Sequence, residues 1–190
     1  MVRSVALYLA FLGLLYAERL LELLVSRRNA RLALAAGGVE FGKGHFTVMV
    51  LVHTLFPLAC AAEVLAVHRR FPGVVGYAAL AAALAAQVMR WWAVATLGRQ
   101  WNTRIIVVPG AQPVTAGPYR YLRHPNYLAV MLEAASVPLI YGAWLSAIVF
   151  VTANAALLSA RIPAEERALG EQYSQAFAGL PRFLPGGRHA

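Results

Sequence analysis

Residues 117–166 begin with GPYRYLRHPNY, continue through apolar runs at 127–140 and 143–160, and end with RIPAEE. Only the turn-forming pair Tyr141 and Gly142 separates the two apolar runs. Two helices joined by so short a connection pack as antiparallel neighbours. We therefore predict a helical hairpin that returns the RIPAEE segment to the end of the molecule where GPYRYLRHPNY lies.

The rest of the chain has the composition of a membrane protein. Of its 190 residues, 60% are hydrophobic and 13% are charged, whereas soluble domains carry about 45–50% apolar and about 25% charged residues. A bilayer is crossed by roughly 20 apolar residues in a helix, and further runs of that kind lie at 4–25, 46–68 and 73–96. We predict an all-α integral membrane protein with about five transmembrane helices, the last two forming the hairpin.

The distribution of Lys and Arg predicts how the chain is oriented. With the N-terminus outside, the outer segments hold three of the 17 basic residues and the inner segments hold twelve. Basic residues flank membrane helices on the cytoplasmic side. We therefore expect the C-terminus and GPYRYLRHPNY at the cytoplasmic face of the cell (inner) membrane. This bias also accounts for the net charge of +9, so we expect no nucleic-acid partner.

Segments between and after the spans carry local signals. Residues 26–45 are expected to form a basic loop, and the β-branched TRIIVV at 103–108 is expected to run extended. Leu169, Tyr173 and Phe177 recur every four residues, which predicts a C-terminal amphipathic helix along the membrane or over the core.

Polar residues at the start of the fourth span predict an anion site. Pro125 suits the first position of a helix and disfavours helical geometry at His124, which places His124 at the helix mouth. The first N–H groups of a helix have no internal partners and lie at the positive end of its dipole. Arg120 and Arg123 add charge there. The alternative is that these arginines and the nearby tyrosines are ordinary interfacial anchors.

Charged residues inside the spans are expected to pair. Such groups cost about 2.5–3.5 kcal/mol at mid-bilayer and usually face the bundle interior. Arg90 is expected to pair with Glu22 or Glu133, and Arg161 can pair with Glu165, four residues further along a helix. The histidines and Cys60 show no ligand spacing, so we predict no metal site.

Together these motifs resemble the isoprenylcysteine carboxyl methyltransferase family. GPYRYLRHPNY, the hairpin after it and R-x-x-x-E-E carry the resemblance, which is strongest over 96–185, while residues 18–45 are similar to a bacterial branch. The resemblance implies one membrane-embedded methyltransferase domain over 1–190, with N-terminal helices at 1–95 and the cofactor-binding catalytic region at 96–190.

The resemblance also implies S-adenosyl-L-methionine as the cofactor, held in a non-Rossmann pocket at the cytoplasmic mouth. Arg161 matches the family arginine near the acceptor and is the expected catalytic residue, where a guanidinium would stabilise an acceptor oxyanion. Glu165 matches the family acid and would hold a ribose hydroxyl or the amino group, and Arg104 aligns more weakly. The implied cofactor contacts are Gln112, Pro113, Val114, Tyr119, His124, Pro125, Asn126, Tyr127 and Glu165.

For the acceptor, the resemblance implies a small lipophilic molecule methylated on oxygen, either a carboxylate or a phenolic or enolic hydroxyl of the alkylpyrone or alkylresorcinol type. Two other functions stay open. One is an NADPH-dependent membrane reductase of the sterol-reductase-like class, and the other is a non-enzymatic small transporter or membrane scaffold. The bunching of polar motifs at one face, and not along a path across the membrane, argues against transport.

Overall fold

The computed structural model describes residues 2–183, apart from the side chains of Val2, Arg3 and His45. Within that part of the chain there are five α-helices and two short β-strands. In chain order these are α1 (Val2–Ala35), β1 (Val39–Phe41), α2 (Lys43–Ala66), α3 (Val74–Leu97), β2 (Ile105–Val107), α4 (Pro125–Leu139) and α5 (Trp144–Ala176). Short 3-10 helices lie at Gly98–Gln100 and Gly117–Arg120.

Four of these helices, α1, α2, α3 and α5, are long and apolar enough to cross a membrane. The remaining helix, α4, has 15 residues and is therefore about 22 Å long at 1.5 Å per residue. That is shorter than the roughly 30 Å hydrocarbon core of a bilayer. The prediction of an all-α membrane protein is confirmed, and a fifth crossing of the bilayer stays a prediction.

The helices pack around α4, which contacts both α3 and α5, while α2 packs against α5 and α1. One buried apolar cluster joins α1, α2, α3, α4 and the turn after α4; it includes Tyr8, Leu12, Cys60, Val64, Ala79, Val137 and Tyr141. Cys60 is completely buried there, as a small core residue is expected to be.

The predicted hairpin is formed by α4 and α5. The turn between them needs Gly142, whose φ of 70° lies in the left-handed region that glycine adopts without steric cost. Glu63 of α2 accepts hydrogen bonds from Ser146 N and Oγ in the first turn of α5, both at 2.7 Å. Arg69 donates to the same carboxylate at 2.9 Å. Glu63 therefore has a structural role: its carboxylate accepts hydrogen bonds at the start of α5, where the first backbone N–H groups have no partner within the helix.

The expected loop over 26–45 is mostly helix, because α1 continues to Ala35. Ser26, Asn29 and Ala30 in the last turns of α1 are buried. Packing therefore extends the helix beyond the apolar run at 4–25. The extended segment predicted at 103–108 is confirmed in part by β2, which pairs antiparallel with β1.

The predicted C-terminal helix is the last part of α5, which the backbone of Gly170 interrupts with φ 73° and ψ −161°. Beyond this kink, Tyr173 and Phe177 are buried against Ala93 of α3 and Tyr119. The spacing of four therefore does mark a buried stripe, and the stripe lies over the helix bundle.

Candidate functional site

The helix α4 begins as predicted, with His124 at the N-cap and Pro125 at the first helical position. Tyr127 N and Leu128 N both donate to His124 O at 3.1 Å. The chain after α5 returns alongside this helix start, where Arg123 N donates to the carbonyl of residue 181 at 3.0 Å and His124 N to that of residue 182 at 3.2 Å. The helix start is therefore held between α5 and the C-terminal segment.

The hairpin brings Arg161 and Glu165 of α5 to the first turn of α4. Arg161 Nε donates to Tyr127 Oη at 2.8 Å, and Tyr127 Oη in turn donates to Glu165 Oε2. Arg161 Nη2 donates to the backbone carbonyl of Thr103 at 2.7 Å. The two motifs at the ends of the hairpin thus converge as predicted, and we call His124, Tyr127, Arg161, Glu165 and Glu166 the mouth cluster.

The direct ion pair that the spacing of Arg161 and Glu165 allows does not form. The hydroxyl of Tyr127 lies between the two side chains and bonds to both. Within the described residues, no carboxylate lies within ion-pairing distance of Arg161, although the side chain is only 3% exposed. Its hydrogen-bond partners are a hydroxyl and a carbonyl, and Glu165 acts on its positive charge only from the far side of the Tyr127 hydroxyl.

His124 faces Glu166, the second acid of the R-x-x-x-E-E motif. The imidazole Nε2 lies 3.0 Å from Glu166 Oε1, and the ring stacks on Tyr127 with the centroids 5.3 Å apart. Arg182 donates to the two Glu166 oxygens at 3.1 Å and 2.5 Å, and this hydrogen bond raises the pKa of the Arg182 guanidinium. The sequence analysis did not assign Glu166 or Arg182 to the site. The pair of adjacent glutamates at 165 and 166 was the signal that could have indicated Glu166.

Tyr119 is buried beside the mouth cluster and not at an open edge. Its ring packs in the apolar group with Tyr173 and Phe177. Burial, and after it the nearby charge of Glu165, raises the pKa of the Tyr119 hydroxyl. The interfacial-anchor interpretation therefore does not describe Tyr119, whereas Tyr121 is 59% exposed and fits it.

The segment 112–114 lies over the distal part of α5. Gln112 is exposed; its backbone carbonyl accepts from Gln100 Nε2 at 3.2 Å and its side-chain oxygen from Gln172 Nε2 at 2.8 Å. Pro113 and Val114 are half-buried. The structure thus ties this segment to the far side of Gly170, and it does not bring Gln112 into contact with Arg161.

One polar atom at the start of α4 is left without a partner. Asn126 Oδ1 is buried and has no hydrogen-bond partner among the described residues. A buried acceptor in that state costs about 1–3 kcal/mol, so it marks a place where a bound molecule can supply a donor.

Buried charges elsewhere are arranged differently. Arg90 donates from Nε and Nη2 to the two oxygens of Glu22 at 2.8 Å and 2.7 Å, and its Nη1 lies 3.9 Å from Glu133. The expected pairing of Arg90 is confirmed. Arg19 bonds to Glu22 at 2.8 Å and extends the set, which we call the membrane network: Glu18, Arg19, Glu22, Gln87, Arg90 and Glu133.

Arg104, the weaker family match, pairs with Glu40 at 3.4 Å and lies over the ring of Phe46 at 4.7 Å. These contacts join the loop after α3 to β1 and the start of α2. Arg104 is thus part of the frame around the two-stranded sheet.

Comparison with known proteins matches the region that builds the mouth cluster. The model of the isoprenylcysteine carboxyl methyltransferase (ICMT) family matches residues 78–171. The uncharacterized protein YpbQ of Bacillus subtilis is 40% identical over 160 residues, which cover 84% of this chain and 95% of that protein. An uncharacterized protein of Haemophilus influenzae is 28% identical over 160 residues, covering 83% of this chain and 91% of that protein.

Proposed function

This chain belongs to the isoprenylcysteine carboxyl methyltransferase family, and we propose that it is an S-adenosyl-L-methionine-dependent O-methyltransferase acting on a small lipophilic acceptor. The family makes it a membrane methyltransferase. The cofactor, the acceptor and the cytoplasmic orientation of the mouth cluster are our proposal, and so are the roles of the individual residues.

The residues at the start of α4 fit the cofactor. S-adenosylmethionine carries an ammonium and an adenine amino group, both of which are hydrogen-bond donors, and Asn126 Oδ1 is a buried acceptor without a partner. The carboxylate of S-adenosylmethionine suits the positive end of α4 next to His124. We propose that Asn126, His124 and Tyr127 hold the cofactor. Glu165 would bond to its ribose hydroxyl, and residues 112–114 and Tyr119 would lie on the side of the cofactor away from α4.

The observation that carries the proposal is that Arg161 is buried and, within the described residues, has no carboxylate bonded to it directly. A buried guanidinium is costly unless an anion or well-placed dipoles offset it, and among the described residues Tyr127 and Thr103 alone bond to it. An oxyanion of the acceptor would complete this environment. We therefore assign Arg161 the role of binding the acceptor oxygen that receives the methyl group.

When bound, S-adenosylmethionine supplies an electrophilic methyl group on its sulfonium. The task of the chain is to hold an acceptor oxygen in line with it, and such positioning supplies much of the rate. A carboxylate acceptor is ionised at neutral pH and needs no base. A phenol has a pKa near 10, so Arg161 would also favour its ionised form. An alkylresorcinol or alkylpyrone hydroxyl would benefit from this most.

The first test is calorimetric titration of the purified, detergent-solubilised protein with S-adenosylmethionine. We expect binding to the wild type and about tenfold weaker binding to Asn126→Ala, as the loss of one hydrogen bond predicts. Asn154→Ala is the matched control, since Asn154 is also an asparagine with a buried, unpartnered Oδ1 but lines a cavity beside Glu133 in the bundle.

Either of two results would overturn the proposal. One is a folded wild type that does not bind S-adenosylmethionine but binds NADPH, which would favour the reductase. The other is equal weakening in the Asn126 and Asn154 variants, which would remove the cofactor from the start of α4.

A further inference from the structure

One side of the proposed site is held by a part of α1 that lies outside the residues matched by the family model. Ser26 of α1 is 2% exposed and faces the loop after α3. Its hydroxyl donates to Asn102 Oδ1 at 3.0 Å, lies 2.6 Å from Thr103 Oγ1 and accepts from Thr103 N at 2.9 Å. A serine hydroxyl has one hydrogen and two lone pairs, so these three contacts use it fully.

A second residue of α1 holds the same loop. Asn29 lies almost one turn after Ser26 and therefore on the same face of the helix. It is 5% exposed, and its Nδ2 donates to the carbonyls of Trp101 at 2.7 Å and Gly98 at 3.1 Å. Small polar side chains of α1 thus fix residues 98–103 from both ends.

The loop over residues 98–103, which Ser26 and Asn29 hold, also bonds to Arg161. Thr103 donates its backbone N–H to Ser26, and its C=O, which belongs to the next peptide group, accepts from Arg161 Nη2. The N–H of that next peptide, on Arg104, donates to Asn102 Oδ1, the same oxygen that accepts from the Ser26 hydroxyl. The other anchored nitrogen of Arg161, Nε, bonds to Tyr127. Because the guanidinium is planar, these two bonds together set the plane of the group and the direction of Nη1.

We propose that Ser26 is a positioning residue that orients Arg161 through Thr103. Without the Ser26 hydroxyl, Thr103 N loses its acceptor, and Asn102 Oδ1 loses the donor that holds it under the Thr103–Arg104 peptide. The Thr103 carbonyl is then held less firmly, and so is the Nη2 side of the guanidinium that bonds to it. The orientation of Nη1 toward an acceptor oxygen is then lost, while the residues proposed to hold the cofactor keep their contacts. The inference rests on the proposed function for what Arg161 binds, and on geometry alone for how Arg161 is held.

The test follows the Nε–H resonance of Arg161 by NMR in protein labelled with 15N-arginine, in detergent micelles. Arg161→Lys assigns the resonance. We expect Ser26→Ala to shift it and to speed exchange of its proton about tenfold, as the loss of one hydrogen bond predicts. Ser136→Ala is the control, because Ser136 is also a buried helical serine, but among the described residues its hydroxyl bonds only to the carbonyl of Leu132 in its own helix.

The route through Thr103 has its own variant. Thr103→Val keeps the side-chain shape and the backbone N–H but removes the hydroxyl that contacts Ser26, and it should shift the Arg161 resonance in the same direction. In the Thr103→Val background, Ser26→Ala should shift the Arg161 resonance less than it does in the wild-type protein. Thr103→Val also serves if Ser26→Ala does not fold.

An Arg161 resonance that is unchanged in Ser26→Ala and Thr103→Val overturns the inference, whatever the chain catalyses. A shift of equal size in Ser136→Ala also overturns it, since the effect would then be general. Failure of the proposed function shows elsewhere, as absence of S-adenosylmethionine binding by the wild type. With an active enzyme, Ser26→Ala should lower kcat about tenfold and leave the S-adenosylmethionine affinity within about twofold.

Discussion

Arg90 and Arg161 are equally well buried, with 5% and 3% of their surface exposed, yet their surroundings are opposite. Arg90 lies in the membrane network, where it forms a two-point ion pair with Glu22 and faces Glu133. Arg161 lies in the mouth cluster, where the atoms bonded to it are a tyrosine hydroxyl and a backbone carbonyl. Within the described residues, one guanidinium is paired directly with acids of the chain and the other is not.

This difference separates two uses of a buried charge. In the membrane network the carboxylates and guanidiniums pair with one another across α1, α3 and α4, so the charges offset one another and join the helices. In the mouth cluster Tyr127 keeps Glu165 away from Arg161. A buried charge without a direct ion pair is the one to which the proposed function assigns the acceptor oxygen.

The largest expected effect is on stability and comes from Arg90→Met. The substitution removes the two-point partner of Glu22 and leaves a buried carboxylate with Arg19 alone, which should lower the free energy of unfolding by about 3–5 kcal/mol. Denaturant titration in detergent micelles measures it. S-adenosylmethionine affinity of the folded fraction should not change.

Two further variants sharpen that measurement. Glu22→Gln combined with Arg90→Met removes both charges and should recover more than half of the loss. Arg99→Met, at an exposed arginine just after α3, should leave the unfolding free energy within about 0.5 kcal/mol. A cost below about 1 kcal/mol for Arg90→Met would contradict a stabilising role for the membrane network.

The next effect is on turnover and comes from Arg161→Ala. Loss of an oxyanion-binding donor typically costs about 10²–10³ in kcat, measured here with radiolabelled S-adenosylmethionine and a long-chain alkylresorcinol or alkylpyrone. Because Arg161 neutralises no carboxylate, its removal should cost less stability than Arg90→Met. Arg161→Lys keeps the charge but not the planar fork, so it should recover only part of the rate. If S-adenosylmethionine binding fell as much as turnover, the acceptor role would be wrong.

The features of the fold that depend on local pattern could be predicted from the sequence. Apolar runs located the hairpin, β-branched residues located β2, and Pro125 located the start of α4. The pairing of Arg90 with Glu22 also followed, because few partners exist for a charge inside a membrane. Each of these inferences needs only neighbouring residues or a short set of options.

Contacts that depend on side-chain direction could not be predicted. The spacing of Arg161 and Glu165 fits an ion pair along a helix, but Tyr127 of another helix enters between them. The polar face of α1 at Ser26 and Asn29 gives no signal in a basic segment that resembles a loop. Its role appears only when the loop after α3 packs on it.

The smallest expected effect is at the rim of the mouth cluster, where Arg182 is 49% exposed and pairs with Glu166 at 2.5 Å. Exposed ion pairs contribute about 0–1 kcal/mol, so Arg182→Ala should lower the unfolding free energy by less than about 1 kcal/mol. Salt screens exposed pairs and leaves buried ones nearly unchanged. In about 1 M NaCl the Arg182 effect should therefore disappear, while the effect of Arg90→Met should persist. Equal salt sensitivity of the two variants would mean that water reaches the membrane network, and the contrast between Arg90 and Arg161 would then lose its physical basis.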